Sequence, residues 1–170
     1  MKNYIFVLLL ILSYKASANG LHIAGGVYVN YVDTNSGSKF SLLNDLRLGY
    51  RFDYSERNSL ALLLITESQE IPNDVKDEKR ESLGVSAAFY SGQYYVMGAY
   101  FPQSQIEGGG RSGKLDGSGL RVDVGMNFSM SKNIKVGPRL GYRKFSYDQD
   151  AFADAGFSSF EPTFAFNIFL

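Results

Sequence analysis

Leu120-Arg121-Val122-Asp123-Val124-Gly125-Met126-Asn127-Phe128-Ser129-Met130 alternates without interruption. Leu120, Val122, Val124, Met126, Phe128 and Met130 fall on one side of an extended chain, and Arg121, Asp123, Gly125, Asn127 and Ser129 on the other. Period-two patterning over this length is the mark of a β-strand with two unlike faces. Because side chains alternate strictly, a slip of one residue would carry every apolar group to the wrong face, so the register is well specified. The next segment repeats the pattern: Ile134, Val136, Pro138, Leu140 and Tyr142 alternate with Lys135, Gly137, Arg139, Gly141 and Arg143. Phe40 to Phe52 does the same, with Asp45, Arg47, Gly49 and Arg51 on its polar side.

Five further stretches read as strands: Leu21 to Tyr31, Asn58 to Glu67, Ser82 to Tyr90, Tyr94 to Phe101, and Ser159 to Leu170. Leu60 to Ile65 is apolar on both sides. Placing Leu60, Leu62 and Leu64 on the apolar face puts Ser59, Ala61 and Glu67 on the polar one. Tyr94 to Phe101 is equally two-faced, and its reading puts Val96 and Gly98 with the polar side. The connections alternate in length. Asp53 to Arg57, Ser91 to Gln93 and Ser131 to Asn133 are short turns rich in Asp, Asn, Ser and Gly, whereas Val32 to Lys39, Ser68 to Glu81, Pro102 to Ser118 and Ser146 to Ser158 are long and polar.

The first eighteen of the 170 residues read as an export signal to be removed, leaving residues 19–170 as a single domain. Lys2 supplies the positive start, Tyr4 to Leu12 the apolar run, and Ala16-Ser17-Ala18 the small-residue cleavage pattern. Nine apolar residues are too few for a membrane helix, which needs about 20. With no cysteine in the chain, disulfides and thiol chemistry are excluded. Without Lys2 and Lys15 the remaining chain carries 15 basic against 17 acidic residues, a balance that provides no field to recruit nucleic acid.

Alternation alone fits both a soluble lipocalin-like barrel, apolar inside, and a membrane barrel, apolar outside. The polar faces decide. Gly26, Gly49, Gly84, Gly98, Gly125, Gly137 and Gly141 are interleaved there with long arginines. Glycine weakens an exposed strand, but in the narrow lumen of an eight-stranded barrel it leaves room for bulky neighbours. The expected lumen network is Asp45, Arg47, Arg51, Glu67, Arg121, Asp123, Lys135, Arg139, Arg143 and Glu161, paired because unpaired charge away from water is costly. Aromatic belts are expected at the two rims: Tyr31, Phe40, Phe101, Tyr142 and Phe160 by the long loops, and Phe52, Tyr54, Tyr90 and Phe128 by the short turns.

The final segment, Pro162 to Leu170, carries Phe164, Phe166 and Ile168 in alternation and resembles the C-terminal assembly signal of bacterial outer-membrane proteins, although that signal usually ends in Phe or Trp rather than Leu170. With the export signal and eight segments, the chain resembles the small OmpA/OmpX-type barrels. That resemblance implies an eight-stranded antiparallel up-and-down transmembrane β-barrel in the outer membrane, with short periplasmic turns and long extracellular loops. It further implies insertion by the barrel assembly machinery and surroundings of outer-membrane lipid and lipopolysaccharide. It implies no activity.

No cofactor, metal site or catalytic group is expected. Gly108 to Lys114 has phosphate-loop spacing, but Leu115 replaces the Ser or Thr that would bind magnesium, and no buried strand and helix flank it. Asp148, Asp150 and Asp154 do not follow a calcium-loop pattern. His22 is the sole histidine and lies at the turn end of the first strand, away from the outer leaflet where lipid A-modifying barrels work. There is no Gly-x-Ser-x-Gly elbow. Two roles follow: a monomeric, charge-plugged scaffold acting through its loops, or an OmpW-like narrow conduit or binder of small apolar molecules, using Leu43, Leu63, Ile65 and Val96 as lining. N-terminal sequencing of the chain recovered from the envelope is expected to begin at Asn19.

Overall fold

The computed structural model describes residues 18–35, 37–53, 55–109, 113–147 and 156–170. The proposed export signal up to residue 17, Tyr54 and the loop aspartates at 148, 150 and 154 lie outside the described residues. The chain forms β1 (Ala18–Thr34), β2 (Gly37–Asp53), β3 (Asn58–Ile71), β4 (Glu78–Ser91), β5 (Tyr94–Glu107), β6 (Leu115–Met126), β7 (Phe128–Ser129), β8 (Ile134–Tyr147) and β9 (Phe157–Phe169). All neighbours are antiparallel, in the order β6-β5-β4-β3-β2-β1-β9-β8-β7, and β6 also pairs with β8, so the sheet closes on itself.

β6 and β7 are one stave, and the barrel has eight. Gly125 pairs with Arg139 and Phe128 with Val136 in a single register. Between them the chain passes Pro138, which has no N–H to contribute to a ladder. Asn127 instead donates its backbone N–H to the Gln93 carbonyl across the neighbouring turn, 2.6 Å away. At the seam, β1 and β9 pair only from His22 with Phe169 to Val27 with Phe164, two residues short of Pro162.

The long-loop side differs from expectation. Strands run 12 to 17 residues apart from the short β7, where about ten suffice to cross a bilayer. Most of Val32 to Lys39, and parts of the other three expected loops, continue the ladders as strand. Polar residues sit in these extensions because strands rising above hydrocarbon still keep their backbone paired while their side chains meet water.

The outer surface is apolar. Val27, Leu46, Leu48, Leu64, Val85, Leu120, Val122, Val124, Leu140 and Phe164 are all exposed, and Arg121, Asp123, Arg139 and Glu161 are at most 2 % exposed. This is the reverse of a soluble barrel. The reading of β3 agrees with the structure: Leu60 and Leu64 face out, and Ser59, Ala61 and Glu67 face in. The reading of β5 does not. Val96 and Gly98 lie outside, and Tyr95, Met97, Ala99 and Phe101 point into the lumen. Both faces of β5 are apolar because the lumen beside it is filled by rings and thioether rather than charge, so alternation had no contrast to report. For the same reason Phe101 and Tyr90 are lumen residues and not members of the belts. Tyr31, Phe40, Tyr142, Phe160 and Phe128 do face outward, with ring pairs Tyr31–Phe40 and Tyr142–Phe160 at the loop rim.

Val124→Arg places a charge in the middle of this apolar surface. It is expected to cost about 2–4 kcal/mol in urea titrations of the barrel in lipid vesicles, whereas on a water-facing strand it would be close to neutral.

Candidate functional site

The inward positions of β2, β6, β8, β9 and β3 converge on one cluster. Arg47 and Asp45 come from β2, Arg121 and Asp123 from β6, Arg139 and Arg143 from β8, Glu161 from β9 and Glu67 from β3. Asp45 and Arg47 stand two residues apart, as do Arg121 and Asp123, and Asp45 is the ladder partner of Glu67 and Arg121 of Arg143, because alternation on adjacent strands stacks inward side chains over one another; Arg139 and Glu161 reach in from neighbouring strands. Arg47 reaches Asp45 at 2.8 Å and Asp123 at 3.0 Å. Arg121 Nε donates to Asp123 Oδ1 at 2.7 Å and its Nη1 to Glu67. Arg139 grips Asp45 with both terminal nitrogens. Arg143 bonds Glu67 at 3.2 Å, Glu161, and the Gln69 carboxamide oxygen at 2.8 Å.

Four guanidinium groups and four carboxylates thus form a neutral lattice, every member nearly excluded from solvent. Arginine suits this because its planar fork serves two carboxylates at once. Two glycines make the space. A Cβ on Gly26 would overlap the Arg139 guanidinium, and one on Gly141 the Asp123 carboxylate.

Arg51 and Lys135, grouped with these residues on sequence, are elsewhere. They stand at the turn-side mouth, half-buried, where Arg51 bonds Asp53 at 2.7 Å and lies 4.1 Å over the Phe169 ring. Lys135 is 5.5 Å from the same ring centre. Near strand ends the inward direction meets water, and alternation cannot distinguish depth.

Three further layers fill the lumen, and among them the sequence marks only Leu63 and Ile65 as lining residues. Below the lattice, His22 Nε2 meets Asn167 Oδ1 at 3.0 Å, Tyr90 OH donates to the same oxygen at 3.1 Å, and Asn167 Nδ2 donates to Asn127 Oδ1 at 2.9 Å. His22 is fully buried against Tyr90 and Phe169. Beside the lattice, Ala61, Leu63, Ala88, Tyr90, Tyr95 and Met97 pack together. Above it, Ile65, Ala99, Phe101, Ile106, Phe145 and Tyr147 pack with Phe157, whose ring stacks on Phe145 and carries Arg80 at 3.7 Å. The apolar inward residues thus pack against one another in two clusters. The sequence signal was available in the inward parity of Phe145 and Tyr147, which continues that of Arg143.

The loop rim is knit by polar contacts. Asn35 donates its backbone N–H to Asp74 at 2.9 Å, and Glu107 accepts from Lys76 at 3.2 Å with Lys114 3.6 Å away. The hydrogen bond and charge of Lys76, helped by Lys114, hold the Glu107 carboxyl below its ordinary pKa. Gly108 and Gly109 turn with positive φ out of β5, and Gly109 donates to the Lys76 carbonyl at 3.0 Å, so the described part of this segment lies between two strands. Among the described residues no group of metal-ligating side chains is assembled.

The architecture is an eight-stranded antiparallel barrel, apolar outside and charged within. The chain shares its fold with neisserial surface protein A, at 16 % identity and a TM-score of 0.50, over 88 % of this chain and 95 % of that one. Also similar are Ail, the attachment invasion locus protein of Yersinia pestis (14 % identity, TM-score 0.46, 88 % and 99 % covered) and the outer membrane protein AlkL (11 %, 0.38, 89 % and 87 %). No family model and no curated protein matches the sequence.

Removing one lattice member strands its partners. Arg121→Met is expected to cost about 3–5 kcal/mol in urea unfolding, since Glu67 and Asp123 lose a buried counter-charge. In a double-mutant cycle, Arg143→Met with Glu161→Leu is expected to destabilise by less than the sum of the two single changes.

Proposed function

We propose that this chain is a monomeric outer-membrane barrel with a charge-plugged lumen, acting as a structural or surface-interaction scaffold through its loops. The observation that carries the reading is the neutral lattice. It joins five strands across the lumen, and in a narrow barrel such cross-links leave little room for a hydrated solute. Placement in a membrane is supported by the apolar outer surface, since a patch of that extent is not tolerated in water, and by closure of the sheet, which leaves few backbone groups unpaired toward hydrocarbon. The fold shared with neisserial surface protein A agrees with the same compartment. Insertion from the periplasm by the barrel assembly machinery, and contact with lipopolysaccharide at the loop rim, follow from that placement.

The alternative of an apolar conduit has less support. Leu43, Leu63 and Ile65 do face inward, but Leu63 and Ile65 belong to the two packed clusters, and Val96 is outside. A catalytic reading built on an imidazole would have to use His22, which is buried between Asn167 and Phe169.

Two measurements test the proposal. After membrane fractionation, the unboiled protein is expected to migrate as a compact band that shifts on boiling; recovery in the aqueous fraction refutes the placement. In planar bilayers the wild type is expected to give no steady conductance, and a steady current sized for hydrated solutes refutes the plug.

A further inference from the structure

The outer wall is not uniform. Ladder pairing sets Tyr50, Leu62, Ala87, Gly98 and Val122 side by side on the outer face of β2 to β6. In the middle of that row the side chains are nearly absent, and a Cβ added to Gly98 would meet nothing within 4 Å. Larger groups stand in the row toward the loops (Leu64, Tyr100, Leu120) and in the row toward the turns (Phe89, Val96). The result is an apolar groove of about 730 Å³ on the surface assigned to lipid.

A second hollow, also of about 730 Å³, lies on the loop side of the groove, beyond the row of Leu64, Tyr100 and Leu120. It lies where β5 carries a bulge at Pro102 against both neighbours, a feature that bends the wall. Its outward side chains include Asn44, Thr66, Ser68 and Gln103, none of them hydrogen-bonded to another described residue. Asn44 is the telling one, since it interrupts an otherwise apolar outward series on β2, between Leu42 and Leu46. An amide facing the edge of hydrocarbon is costly without a partner.

The charges select the partner. Among the described residues no Lys or Arg side chain lines the polar hollow; its acidic groups include Glu81, paired with Lys79 at 2.7 Å, and Asp116, which accepts from Gln105 at 2.8 Å. A phosphate head would face carboxylates there. Hydroxyl groups would find both donors and acceptors.

We propose that the β2–β6 wall is a binding seat for one amphiphile with an uncharged sugar head in the polar hollow and an alkyl chain in the Gly98 groove. The proposal rests on the membrane placement above. A second copy of the chain is the competing occupant.

The probe is dodecyl maltoside, compared with dodecyl phosphate, each added to the full-length barrel in a short polyoxyethylene detergent and followed by native mass spectrometry. One maltoside is expected to be retained on the monomer at least five-fold more than dodecyl phosphate. Gly98→Leu fills the groove at a position free of clashes and is expected to lower that retention at least five-fold. Asn44→Leu with Thr66→Val is expected to abolish the preference between heads. Equal retention of both amphiphiles by the wild type, retention unchanged by Gly98→Leu, or a wild-type dimer that Gly98→Leu dissociates would overturn the proposal. Heat-dependent gel migration of every variant reads the barrel independently: a band that shifts on boiling but binds no maltoside refutes the seat alone, and loss of the shift in the wild type refutes the membrane placement.

Discussion

Four arginines and four carboxylates held almost out of water in the barrel lumen set the terms for everything around them. Buried charges are tolerated only when each meets several opposite partners in good geometry, and no one strand could supply that. Arg121 needs Glu67 from β3, Arg139 needs Asp45 from β2, and Arg143 needs Glu161 from β9. The lattice therefore demands a closed sheet that brings these walls face to face, and closure in turn pairs the backbone so the outer surface can be largely apolar. A shift of register in any contributing strand would turn its charges toward the apolar side.

The same requirement divides the wall. Arginines come from β2, β6 and β8, and the small glycines beside them, Gly26 and Gly141, lie where guanidinium and carboxylate press closest to backbone. Apart from Glu67 on β3, the β3–β5 side faces the ends of those side chains and supplies volume rather than charge. It supplies Leu63, Met97, Tyr90 and Tyr95 toward the turns and Ile65 and Phe101 toward the loops. Met97 Sδ even receives Arg47 Nη1 at 2.7 Å, a soft acceptor at the boundary between the two regimes. With bulk taken up inside on β5, a glycine on its outer side costs the lumen nothing, and the external groove at Gly98 is the counterpart of that inner packing.

Reading the strands from sequence succeeded wherever the two faces differ chemically. β2, β6 and β8 alternate between aliphatic and charged residues, so the lattice arginines and aspartates could be grouped before any contact was known, but with Arg51 and Lys135, which stand at the mouth, grouped among them. It failed on β5, where Val96 and Gly98 were assigned to the lumen, because apolar residues line both sides and period two carries no sign there. It also missed the hydrogen-bonded layer of His22, Asn127 and Asn167. Those residues come from three strands, and nothing local to any one of them marks the others as partners.

Local residues thus determined the β-class, the eight staves and the inversion that puts charge inside, since each follows from alternation along single strands. Tertiary structure alone decided which charges meet, that Arg51 and Lys135 stay at the mouth, how far the strands rise beyond the apolar belt, and where the outer wall is hollow. Those properties depend on depth along the barrel and on register between strands far apart in the chain, and a period of two records neither.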